Sequence, residues 1–130
     1  TDTPTAHVLL DPSIVYSPAV VNLNARVVPH GLAHITGGGL PGNVIRVLPD
    51  GCRAIIERER WEVPHVFRVL QSIGGIPTGE MFRTFNMGVG FTAVVAEEDV
   101  EATLRAFDTA ELTAVVIGRV VEGDRGVEIR

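Results

Sequence analysis

The sequence predicts an α+β domain with layered α/β character, in which a mixed β-sheet of about four to five strands is covered by helices. Three observations carry this expectation. Short apolar, β-branched runs alternate with segments of helical periodicity. Glycine and proline punctuate the chain at short intervals instead of gathering into one linker. No internal repeat or low-complexity tract breaks the pattern. At 130 residues, 45% of them hydrophobic, the chain has the size of one domain and buries roughly two-thirds of its unfolded surface. That domain is expected over residues 7–130, after a flexible polar head at residues 1–6.

Ser17 and Pro18 open the first helix, the serine as a cap and the proline preset for the first turn. Val20, Leu23 and Val27 then share one face, and the helix should stop near Pro29. Residues 32–36 contain β-branched side chains and run into Gly37-Gly38-Gly39, which predicts a strand opening into a tight loop. A short helix follows over residues 43–48, stopped by Pro49-Asp50-Gly51. Residues 52–56 suit a buried strand, and the charged run at 57–60 leads out into water. Pro64 starts the most regular helix, with Val66, Val69, Leu70 and Ile73 in a stripe and Gly74-Gly75 as its stop. A second short helix is expected over residues 79–84.

Residues 87–96 predict a strand that carries Gly88 and Gly90 two apart, on one face, where a backbone or ligand can approach closely. Glu97, Glu98 and Asp99 complement the positive end of a following helix, whose buried stripe should be Val100, Leu104 and Phe107. Residues 113–121 form a strong strand. Residues 123–126 turn the chain back into an edge strand at 127–130, so that a closing hairpin supplies the antiparallel part of the sheet.

Charge and composition exclude several functions. Sixteen acidic against eleven basic residues give a formal charge of −5, and every basic residue is arginine. Without lysine, a Walker P-loop, a Schiff-base lysine and a pyridoxal-phosphate site are excluded within this chain. A bound anion must be held by backbone N–H groups, by arginine or by a cation. The acidic balance speaks against nucleic acid, and no apolar run approaches the roughly 20 residues of a membrane span. One cysteine, Cys52, forms no internal disulfide and no multi-cysteine zinc site, so a reducing cytoplasm is the expected compartment.

Three consecutive glycines after a strand and before a helix leave several amides free for an oxyanion, although such a run also serves as a plain tight connection. His34 stands at the strand end beside this loop, where it can orient or protonate a bound group or simply be a hydrogen-bonded histidine of the core. His30 and His34 lack the helical face a metal pair needs, so no metal ligands are expected. Arg83, Thr84 and Asn86 offer a guanidinium, a hydroxyl and an amide within four residues, suited to a phosphate, a ribose or an amide substrate. They also suit a plain helix C-terminus, with the arginine near the negative end of the helix dipole, and before any family resemblance that reading comes first.

Four ordered segments, LLDPSIVY at 9–16, GLAHITGGG at 31–39, NVIRVLP at 43–49 and EMFRTFNMGVG at 80–90, together resemble the C-terminal half of phosphoribosylformylglycinamidine cyclo-ligase, also called aminoimidazole ribonucleotide synthetase. The resemblance covers about residues 7–130. It departs from the usual pattern at Ser13, Ile45 and Met87, where many relatives carry Thr, Pro and Cys, and Met87 rules out a thiol mechanism there.

This resemblance implies that the chain takes part in ATP-dependent ring closure of formylglycinamidine ribonucleotide in purine synthesis. It also implies an N-terminal ATP-binding half, absent here, which would contribute most of the ATP and Mg2+ contacts and the homodimer contacts. This chain alone should then be inactive. The site would lie between the halves. His34 would assist polarisation or proton movement, and Thr36, Gly37, Gly38, Gly39, Asn43, Arg83, Thr84, Asn86 and Gly88 would bind substrate or phosphate. Another member of the same two-half ATP superfamily, of the formylglycinamidine ribonucleotide synthase, selenophosphate synthetase or thiamine-phosphate kinase type, is the alternative enzyme reading. A catalytically silent scaffolding domain of the same fold is the alternative outside enzymes.

Overall fold

The computed structural model describes residues 5–130. The head expected at residues 1–6 falls mainly on residues 1–4, outside those described; a one-turn helix, α1, spans Thr5–Leu9. Helix α2 follows at Ser17–Asn24 with Pro18 in its first turn, but Ser17 makes no capping hydrogen bond. The helix ends before Pro29, and Ala19 and Leu23 are its fully buried residues.

Strand β1, Gly31–His34, pairs antiparallel with β3, Phe91–Val94, so that Leu32 faces Ala93 and His34 faces Phe91. Between them, β2 at Cys52–Ile56 is the centre of a second sheet. Strand β4, Gly118–Glu122, flanks β2 antiparallel, and β5, Gly126–Ile129, flanks it parallel. The α+β class therefore holds, but the five strands divide into sheets of two and three. The expected hairpin is corrected too: residues 123–125 carry the chain across β2 to its far edge. Ala54, Ile55 and Ile56 are all buried, so both faces of this central strand are covered.

Helix α3 spans Gly39–Val44 and tightens into a 3₁₀ turn at Ile45–Val47. It starts four residues earlier than expected, because Leu40 joins Val44 in the core and proline is tolerated in a first turn whose N–H groups have no helical partner. Helices α4 at His65–Gly74 and α5 at Thr78–Thr84 form an adjacent pair, with the Phe67 and Phe85 rings 5.8 Å apart. Gly75 ends α4 in the left-handed conformation. The expected α4 stripe is not a core seam, since Ile73 is 80% exposed.

The strand expected at 87–96 is shortened at both ends to residues 91–94, most of all on its N-terminal side. Met87 and Gly88 both have positive φ, 54° and 96°, and the Val89 N–H donates to the Asn86 carbonyl at 3.0 Å, so residues 86–89 form a tight turn. Gly88 therefore does not share a strand face with Gly90. A 3₁₀ turn at Glu97–Asp99 leads into α6, Val100–Thr109. Its buried side is Thr103, Ala106 and Phe107 instead of Val100, Leu104 and Phe107. Thr103 is satisfied there by donating its hydroxyl to the Asp99 carbonyl at 2.8 Å. Residues 113–117 stay outside any strand, and Val115 and Val116 are exposed.

The β1–β3 ribbon lies between two cores. On one side Leu32, Phe91 and Ala93 pack against Ala19 and Leu23 of α2 and Ala106 and Phe107 of α6. On the other, Ala33 and Ile35 join Leu40, Val44, Ala54 and Ile56, which binds the two sheets through α3. The period-two alternation of a strand gives each core its own residues and leaves His34 at the open end. A third cluster holds Met81, Phe82 and Met87 under Trp61, whose indole N–H donates to the Met87 carbonyl at 2.9 Å. This bond anchors the 86–89 turn.

Candidate functional site

The end of β1, the turn at 86–90 and the irregular segment 11–16 enclose an open cleft of about 400 Å³. His34, Thr36, Asn86, Ser13 and Tyr16 supply its polar groups, and Pro12, Ile14 and Ile35 its apolar wall. Gly90 completes the lining, and no arginine is part of it. Two motifs distant in sequence, that of His34 and Thr36 and that of Asn86, thus meet on one side of the molecule.

His34 is held by rings instead of hydrogen bonds. The Tyr16 ring meets it edge-on at 5.7 Å and stacks on Phe91 at 5.3 Å, above the cross-strand pair of His34 and Phe91. Such aromatic contacts fix ring orientation at modest energetic gain. Burial pushes the Tyr16 phenol above its ordinary pKa, because the charged phenolate loses solvation there. It is a neutral hydroxyl at physiological pH.

The glycine loop is shaped by Asn43. This side chain is 3% exposed and donates its amide N–H groups to the carbonyls of Gly39 at 2.8 Å, Thr36 at 3.1 Å and Gly37 at 3.3 Å. The Thr36 hydroxyl donates to Asn43 Oδ1 at 3.2 Å. Asn43 is therefore a brace turned inward and not a group facing the cleft. The Gly39 N–H is taken by the Thr36 carbonyl at 3.0 Å, whereas the Gly37 and Gly38 amides donate to no acceptor among the described residues. Gly39 itself is needed for packing, since a Cβ there would overlap the Phe82 carbonyl oxygen. Gly37 to Gly39 adjoin Thr36 without lining the cleft.

Asn86 turns its Oδ1 to the Gly88 N–H at 2.8 Å, which leaves its amide nitrogen as a donor. Gly88 is exposed and lies over Pro64. Arg83 and Thr84 are not brought to the cleft. Arg83 pairs with Glu80 at 3.8 Å and lines a separate depression with Arg58 and Phe82; Thr84 donates its hydroxyl to Glu80 at 3.3 Å. The expected residue set omits Ser13, Tyr16 and Gly90, although their segments, LLDPSIVY and EMFRTFNMGVG, carry the family resemblance. Among the described residues, no group of three His, Cys, Asp or Glu side chains is placed to hold a metal.

Over residues 2–130 the sequence matches the family described as AIR synthase related protein, C-terminal domain. The chain belongs to that family. This AIR synthase-related domain is 42% identical over 127 residues to the phosphoribosylformylglycinamidine cyclo-ligase of Geotalea daltonii, covering 98% of this chain and 36% of that protein. It is 46% identical over 123 residues to the enzyme of the same name from Citrifermentans bemidjiense, covering 95% and 35%. The chain thus spans about a third of the length of the curated relatives it matches. Among solved structures, Escherichia coli HypE, a hydrogenase maturation protein, superposes with a TM-score of 0.67 at 22% identity over 88% of this chain and 35% of that one. Thiamine-monophosphate kinase from Stenotrophomonas maltophilia gives 0.56 at 15% identity, over 78% and 31%. At such identities the likeness establishes the fold. No helix among the described residues is long and apolar enough to cross a membrane.

Proposed function

We propose that this AIR synthase-related domain is the C-terminal part of an ATP-dependent cyclo-ligase that closes formylglycinamidine ribonucleotide to aminoimidazole ribonucleotide in the cytoplasm. The observation that carries the reading is the convergence of His34, Thr36 and Asn86, from separate motifs, on one open cleft. The extent of identity to cyclo-ligases supports it.

Ring closure requires that the formyl oxygen become a leaving group and that an internal nitrogen attack the formyl carbon. ATP supplies the phosphoryl group that makes the oxygen leave. In this reading ATP and its Mg2+ belong mainly to an N-terminal half, which also forms the homodimer. This domain then binds and orients the ribonucleotide. His34 polarises the formyl amide or takes the proton released by the attacking nitrogen. Thr36, whose proton is given to Asn43, accepts a hydrogen bond from a substrate N–H. Asn86 donates its free amide to the same substrate, and the Gly37 and Gly38 amides, beside the cleft and not in its lining, are available to a phosphate oxygen without a cationic side chain.

A test joins this chain to the N-terminal portion of the Geotalea daltonii cyclo-ligase in place of the matching region. The fusion is expected to restore purine-independent growth to a strain lacking cyclo-ligase and to form aminoimidazole ribonucleotide in vitro. A folded fusion that binds ATP yet forms no product would contradict the reading.

A further inference from the structure

We infer that Tyr16 is a substrate-contacting residue of the cleft, its hydroxyl donating a hydrogen bond to an oxygen of the ribonucleotide bound beside His34; this rests on the cyclo-ligase reading. Three observations carry it. The hydroxyl lies against the backbone of Gly90, where a Cβ would overlap it, so the chain keeps a residue without a side chain at the one place that admits the phenol. The hydroxyl has no hydrogen-bond partner among the described residues, although Tyr16 is half-buried and lines the cleft. The ring rests on the cross-strand pair of His34 and Phe91, touching both, which positions the hydroxyl next to the proposed catalytic histidine. An unpartnered donor held at a fixed place in an open polar cleft is available to an oxygen of a bound ligand.

Tyr16→Phe keeps the ring contacts and deletes the donor. In the fusion enzyme it is expected to raise KM for formylglycinamidine ribonucleotide about three- to tenfold, as loss of one neutral hydrogen bond does, with kcat within about twofold and an unchanged thermal midpoint. Gly90→Ala, which drives a methyl group into the hydroxyl's place, is expected to raise KM at least as much. An unchanged KM in folded Tyr16→Phe overturns the assignment, whatever Gly90→Ala does. Failure of the unsubstituted fusion to form product overturns the cyclo-ligase reading and this assignment together, so the two failures are distinct.

Discussion

Tyr16 places its hydroxyl oxygen in the space where a side chain on Gly90 would begin. The contact ties the segment before α2 to the end of the 86–90 turn and closes one side of the cleft. Its energetic signature is a phenol whose pKa is raised by burial. Because Tyr16 is the only tyrosine in the chain, absorbance at the phenolate band reports on it alone. The titration midpoint should lie above the ordinary phenol value of about 10. The folded state favours the neutral form, so this contribution to stability is complete below the unfolded pKa and is lost as pH rises through the folded one. A midpoint at or below the ordinary value would show a solvated phenol.

Asn43 braces the glycine loop through three carbonyls. Asn43→Ala removes three side-chain hydrogen bonds to the loop, of which the one to the Gly39 carbonyl is buried, and should cost about 1–3 kcal/mol. Urea unfolding with an unchanged slope and a lowered midpoint is the expected result; an unaltered midpoint would mean that the loop holds itself.

Two glycines of α3 should respond in opposite directions. Gly39→Ala puts a methyl into the Phe82 carbonyl and, at φ 61°, into a strained backbone; overpacking of this kind costs about 1–3 kcal/mol. A Cβ on Gly42 meets nothing within 4 Å, and Gly42→Ala should stabilise the helix by up to about 1 kcal/mol. Thermal melts of both variants separate a packing requirement from general intolerance of the loop.

Local signals carried much of the fold. Strand β2 coincides with the expected residues 52–56, and α4 stops where Gly74-Gly75 said it would, because one left-handed glycine suffices to end a helix. Pairing was less legible. Which strand β5 pairs with is set by residues far away in sequence, on β2, so the turn residues at 123–126 suggested a hairpin that does not form. The apolar run at 87–96 concealed a turn whose signal, Asn86 followed two residues later by glycine, is short. The site was legible in part, since His34 and Asn86 both line the cleft. It was misleading at Asn43, whose amide serves the loop, and at Arg83 and Thr84, which helix α5 aims at Glu80. Tyr16 escaped notice because its role depends on contact with a glycine far along the chain.

The most direct test of the cleft as the site of cyclisation is the turnover of His34→Ala in the fusion enzyme. His34 is exposed and outside all three cores, so the thermal midpoint should move little. The rate of aminoimidazole ribonucleotide formation should fall about 100-fold or more, the scale of a lost general acid or base. Undiminished turnover in the folded variant would contradict the account.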